Sequence, residues 1–293
     1  MATSSTFGKT ALLDYAWSAW AALGVSSWSD AEFVACVDIE SLVLLTGCFA
    51  DEDARLRDES IDWCASNVGL VSRSRLAHLV RRGSPADAWA TYAATLQQAT
   101  KQTWPGAGKP LDWSPTRKSK LPHRHTGAAL ALRCRGLMGT TARSEIVRVL
   151  LLDESGRPWE IRDLVTEVGY TKRGVAEAVE GLRLAGVVRS IALGNARAYS
   201  LARPEEMTAL LGPLPRVRSS QRALIRVAIE TVQATDRLAS ASPRVRVVEE
   251  ARLLRELEPD LHRVDPRVTL PDSDRLDFLR EWCSLRCEEA LRG

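Results

Sequence analysis

The sequence has no apolar run long enough to cross a bilayer. Its longest uncharged stretch, residues 15–29 (YAWSAWAALGVSSWS), is short and rich in serine, whereas a spanning helix needs roughly 20 predominantly apolar residues. A secretory leader is not expected, because Asp14 interrupts the apolar segment and no small-residue cleavage pattern follows it. Cysteine is sparse: six residues with no framework spacing, which points to free thiols in a reducing cytoplasm. Histidine is sparser still, with four scattered copies. There is no phosphate-binding glycine loop, no G-x-S-x-G and no H-E-x-x-H. Gly83-Ser84 is followed by Asp87 alone, not by the paired aspartates of a nucleotidyltransferase-like site. With no convergent set of reactive groups, catalysis is not expected. Cys283 and Cys287 lie four apart on an apolar helix face, and His123 and His125 lie in a basic linker. Neither pair matches a zinc spacing, so no metal and no cofactor are expected.

What is present is ordinary globular composition: 45% hydrophobic and 26% charged residues over 293 positions. Alanine, leucine and arginine dominate and favour helix. Aromatics make up only 6%, yet nine of them are tryptophan. The net charge of +3 hides an uneven distribution. Residues 1–100 carry seven Lys and Arg against twelve Asp and Glu, while residues 101–143 carry nine against one. A local block of this kind attracts phosphate even in a nearly neutral chain.

Four regions are expected: a helical domain over 1–104, a basic proline-containing linker over 105–127, a winged helix-turn-helix over 128–203, and a helical region over 204–293. In the first, apolar spacing predicts helices over 30–49, 51–66, 72–82 and 85–103 after an initial one carrying Leu12, Ala16, Trp17, Trp20 and Leu23. Trp17, Trp20, Trp63, Trp89 and Trp282 fall on apolar faces, whereas Trp104 and Trp113 are expected to be exposed in the linker. In the last region, helices are expected over 219–239, 243–257 (Val247, Ala251 and Leu254 inward) and 272–291, with a break over 259–271.

The motif lies between. A helix over 141–152 puts Ile146, Val149 and Leu150 inward and Arg143, Glu145 and Arg148 outward. After a turn at 154–156 and a short strand near Arg157–Trp159, a helix over 160–168 ends at Gly169, a residue that accepts the left-handed conformation of a tight exit. Thr171 caps the next helix, 171–185. Its Val175, Val179 and Leu182 turn inward; Lys172, Arg173, Ala176, Glu177 and Glu180 turn outward. Two cations at a helix N-terminus suit phosphates and base edges in a major groove. A hairpin follows, with Gly194-Asn195 as its two-residue turn and Arg189 and Arg197 along its strands. Upstream, Arg117, Lys118, Lys120, Arg124, Arg133 and Arg135 form a candidate phosphate-tracking arm.

The run ARSEIVRVLLL…EIRDLVTEVGYTKRGVAEAVEGLRLAGVVRSIALGNARAYSL resembles the winged-helix regulators of the ArsR/MarR type. The resemblance spans roughly 140–203, about a quarter of the chain, and the flanking regions match no known family pattern. It implies a dimeric regulator whose third helix enters the major groove. It places Thr171, Lys172, Arg173, Ala176 and Glu177 at reading positions and Arg189, Asn195 and Arg197 at wing positions.

The expected function is therefore DNA-binding transcriptional regulation in the cytoplasm, non-enzymatic and without a membrane partner, by a homodimer on double-stranded DNA. The alternative is a protein-interaction module, antitoxin-like or an assembly partner, that uses the winged helix as a scaffold and the acidic N-terminal region as a docking surface.

Overall fold

The computed structural model describes residues 4–26, 32–83, 87–106, 108–122, 126–193 and 196–292. Mainly helical, the chain also carries one small antiparallel sheet. The first five helices are α1 (Ser4–Ala22), α2 (Ile39–Cys48), α3 (Ala54–Ser66), α4 (Arg73–Arg82) and α5 (Asp87–Thr100). Every residue of α2 is buried, and α1, α3, α4 and α5 pack around it. Three of these starts are written locally: the side chains of Asp38, Asp53 and Ser72 accept the Ser41, Leu56 and Arg75 amides and cap α2, α3 and α4. The tryptophans close the core and keep their N–H groups satisfied. Trp20 donates to the Thr46 hydroxyl and Trp63 to the Leu23 carbonyl, each at 2.8 Å, and their rings meet edge to face.

The helix expected over 30–49 starts only at Ile39. Residues 32–38 are irregular because other segments hold them. Val34 donates to the Ala290 carbonyl, Val37 to the Ala128 carbonyl, and Val217 donates back to Val34. Those long-range bonds compete with helix for the same backbone groups.

The described residues of 104–122 form no regular element, yet they are fastened down. The Asp62 carboxylate accepts the Thr116 and Arg117 amides at 2.8 Å each, and Lys120 donates to the Gly24 carbonyl at 3.2 Å. Gly24 has φ +97, and a Cβ there would lie 1.6 Å from the Lys120 carbonyl oxygen. Trp104, expected to be exposed, is buried at 2% exposure and donates to the Thr100 hydroxyl. Trp113 is half-buried against the core.

A short helix, α6 (Leu130–Met138), leads into α7 (Ala142–Leu152), β1 (Trp159–Glu160), α8 (Ile161–Val168), α9 (Lys172–Leu184), β2 (Val188–Leu193) and β3 (Ala196–Leu201). The strands pair antiparallel in the order β1-β3-β2. Trp159 lies opposite Tyr199, Val188 opposite Leu201, and Leu193 opposite Ala196. That last pair leaves two residues, Gly194 and Asn195, to close the hairpin; both lie outside the described residues, as do His123, Arg124 and His125.

The chain ends with α10 (Pro204–Leu211), α11 (Gln221–Leu238), α12 (Pro243–Val264) and α13 (Arg275–Arg292). Here α12 continues through Pro259, where the sequence suggests a break. Leu257 and Leu261 are fully buried on either side, and Asp260 is held by Arg222, Arg226 and Arg263. Tertiary anchoring outweighs the hydrogen bond that proline forfeits. Val247, expected inward, is 59% exposed, while Leu254 is buried. The two ends of the chain meet: α1 packs on α13 and α11, and α11 also covers α2. One hydrophobic core runs from Leu12 to Ala290. Among the described residues, no helix is long and apolar enough to cross a membrane.

Candidate nucleic-acid interface

The direction of α9 is fixed at its start. Gly169 ends α8 with φ 72 and ψ 30, the left-handed exit that the sequence suggests. Thr171 then caps α9 by accepting the Gly174 amide at 3.2 Å. The first intrahelical bond runs from the Val175 amide to the Thr171 carbonyl. The amides of Lys172 and Arg173 precede it and belong to the helix's orphan donors. Val175, Ala178, Val179 and Leu182 are buried against α7 and α8. Thr171, Lys172, Arg173, Ala176, Glu177 and Glu180 are all exposed on the opposite side.

That exposed face is charged but largely self-neutralised. Arg173 donates to Glu177 at 2.8 Å and Arg183 to Glu180 at 2.6 Å. Hydrogen bonding to Glu177 holds the Arg173 guanidinium protonated more firmly than usual. Glu180 is held below the ordinary carboxylate range by its hydrogen bond to Arg183, with a further contribution from Arg197 on β3. Arg197 therefore lies within electrostatic reach of α9. Arg189 donates to the Ser200 hydroxyl across the hairpin at 2.9 Å. Among the described residues, Lys172, Arg189 and Arg197 form no ion pair. The structure thus brings Thr171, Lys172, Arg173, Ala176 and Glu177 onto one face and adds Arg189 and Arg197 on the hairpin; Asn195 lies outside the described residues.

The arm is placed elsewhere. Arg117, Lys118 and Lys120 are exposed, but their backbone is tied to Asp62 of α3 and to Gly24 after α1. The packing partners of α9 are α7, α8 and the hairpin. Two other members of the arm are structural. Arg133 donates to the Thr126 and Pro213 carbonyls, and Arg135 is 3% exposed.

Arg135 belongs to a feature that sequence reasoning missed. Glu145 and Arg148 of α7, expected to face outward, are 1% and 4% exposed. They join Asp38, Glu40, Arg75 and Arg135 in a closed ring of alternating charge. Arg75 pairs with Asp38 at 2.6 Å, Asp38 with Arg148 at 3.0 Å, Arg148 with Glu145 at 2.8 Å, and Glu145 with Arg135 at 2.6 Å. Arg135 then pairs with Glu40 at 2.7 Å and Glu40 with Arg75 at 2.6 Å. Burial pushes the Asp38 and Glu145 carboxyls up, but the adjacent guanidiniums outweigh it and hold both well below the ordinary carboxylate range. Arg75 also donates to the Val168 carbonyl at 2.6 Å, and Tyr170 donates to the Ser72 hydroxyl at 2.7 Å. The ring therefore grips the α8–α9 turn from the N-terminal side. Periodicity alone could not reveal it, because the partners of α7 lie up to 110 residues away.

All six cysteines are free and buried, Cys283 and Cys287 among them. Among the described residues, no group of three or more His, Cys, Asp and Glu is arranged to hold a metal ion. Compared with known proteins, the chain matches no family model, no curated protein and no solved structure.

Proposed function

We propose that α7, β1, α8, α9 and the β2–β3 hairpin form a winged helix-turn-helix and that the chain is a non-enzymatic regulator binding double-stranded DNA. The observation that carries this reading is the outer face of α9. Its apolar side is buried, its capped N-terminus presents Lys172 and Arg173 with two orphan amides, and exposed Arg189 and Arg197 flank it on the hairpin. Helix N-termini and arginines beside them suit the phosphates that border a major groove. Because Glu177 and Glu180 neutralise part of the face, affinity per copy is modest. A homodimer, reading two half-sites in the cytoplasm, supplies the rest.

The test is a titration of genomic DNA fragments at several salt concentrations. Lys172→Glu/Arg173→Glu is expected to weaken binding by at least about tenfold near 100 mM salt and to flatten the salt dependence. Unchanged affinity in that variant overturns the reading. Sedimentation of the free protein reports the dimer independently.

A further inference from the structure

A half-open groove of about 550 Å³ lies between the C-terminal turns of α3 and α5 and residues 111–117. Its third wall is fastened at both ends. The Leu111 amide donates to the Thr95 hydroxyl of α5 at 3.0 Å, and the Thr116 and Arg117 amides donate to Asp62 of α3 at 2.8 Å each. Trp113, between these anchors, packs on the core and also lines the groove. Lys101, one residue past α5, and Arg117 line it too, with Ser66 and Gln98 as uncharged polar neighbours. Among the described residues that line the groove, none is an acid. Both cations are exposed, and neither forms an ion pair among the described residues.

The backbone at these two cations is unusual. Lys101 has φ 56 and Arg117 has φ 54, the left-handed region that a Cβ disfavours; among the other described non-glycine residues only Asp274 shares it. Such backbone persists where surrounding contacts over-determine it, and it gathers at ligand clamps. Here the Lys101 amide is held by the Gln97 carbonyl at 3.0 Å and the Arg117 amide by Asp62. Glycine would take either position at less cost, yet the sequence puts a cation at both.

A tryptophan and two unpaired cations without an acid select an anion that carries a flat ring. The volume suits a ligand of nucleotide size. A base inside a duplex is stacked on its neighbours and cannot turn its face to an indole, whereas an unpaired base can. Lys109, Lys118 and Lys120 are exposed on the same segment, against the single acid Asp112. They extend the positive field past one phosphate and favour a strand over a free nucleotide.

We propose that this groove binds an unpaired nucleotide of single-stranded nucleic acid, its base stacked on Trp113 and its phosphate held by Lys101 and Arg117. The groove shares no residue with the outer face of α9, and the proposal does not rest on the duplex-binding reading.

Fluorescence anisotropy of the full chain with a labelled oligodeoxythymidylate of about 15 residues tests this. Binding is expected with a Kd of about 10 μM or tighter at about 50 mM salt. Trp113→Ala is expected to weaken it by about tenfold, with a circular dichroism melt to report that the variant folds. Lys101→Gln/Arg117→Gln, at two exposed positions, is expected to flatten the slope of log Kd against log salt by about 1.4, the share of two phosphate contacts on a single strand. Poly-glutamate, a polyanion without bases, and dTMP, a nucleotide without a strand, are expected to compete at least about tenfold more weakly than the unlabelled oligomer. No binding by the wild type, an unchanged salt slope in the double variant, or equal competition by poly-glutamate or dTMP overturns the proposal. Lys172→Glu/Arg173→Glu separates the two readings: it is expected to bind the single strand as the wild type does, and an equal loss there overturns a separate site. Single-strand binding without duplex binding keeps the groove and removes the regulator.

Discussion

Arg75 ties two distant parts of the molecule to α4 with one side chain. It pairs with Asp38 and Glu40 near the start of α2 and donates to the Val168 carbonyl at the end of α8. Through those two carboxylates it is connected to Arg148 and Arg135. A buried charge whose partner is removed is costly, because it is left desolvated and uncompensated. Glu145→Gln leaves Arg135 and Arg148 short of one negative charge and is expected to destabilise the fold by about 3–5 kcal/mol in urea denaturation. The ring also ties stability to acid. Asp38 and Glu145 titrate below their ordinary range in the folded chain, Glu145 at about 2 and Asp38 lower. Their contribution is complete above the ordinary carboxylate range and is lost as the pH falls from about 4 through the folded values. Urea midpoints measured across that window are expected to fall steeply in the wild type and less steeply in Glu145→Gln.

At the scale of elements, the α8–α9 turn combines what is local with what is not. Gly169 was legible because a glycine before a threonine cap is a short-range pattern, and its φ of 72 bears that out. What sequence could not show is that Arg75 and Leu79 press on it, with Arg75 Nε and Leu79 Cδ2 each 3.4 Å from where a Cβ would be. Gly169→Ala is therefore expected to lose about 1–2 kcal/mol from the left-handed backbone alone, read as a lower thermal midpoint. The other elements follow the same division. The starts of α3, α4 and α11 are set by Asp53, Ser72 and Ser220 side chains within three residues of the amides they cap. The irregular course of residues 32–38 before α2 and the continuation of α12 through Pro259 depend on partners far along the chain. The exposed side of α9 was legible from its spacing, whereas the burial of Glu145, Arg148, Arg135 and Trp104 was not. Helical spacing gives a direction, and only the assembled fold says what waits there. The fastening of residues 104–122 gives a further test at this scale. Gly24→Ala drives a Cβ into the Lys120 carbonyl and is expected to release the segment. Tryptic cleavage after Arg117, Lys118 and Lys120 then speeds up by about tenfold or more under native conditions.

Across the whole molecule, residues 140–203 are a recognisable unit in sequence but not a self-sufficient one in structure. The fragment keeps Glu145 and Arg148 yet loses Asp38, Glu40, Arg75 and Arg135, and it loses the α4 surface against the α8–α9 turn. Expressed alone, it is expected to show no cooperative melt by circular dichroism, while the full chain unfolds in one transition. Two or more transitions in the full chain would contradict this view of a single shared core. The closed ring has one more consequence, which concerns how the chain finds its register as it folds. Apolar helix faces tolerate sliding, since one leucine replaces another at little loss. Six alternating charges do not: moving α7 by one turn would bring like charges together or strand a guanidinium in a dry interior. The ring makes nearly correct arrangements of α2, α4, α6 and α7 energetically remote from the right one, so misdocked intermediates are expelled rather than trapped.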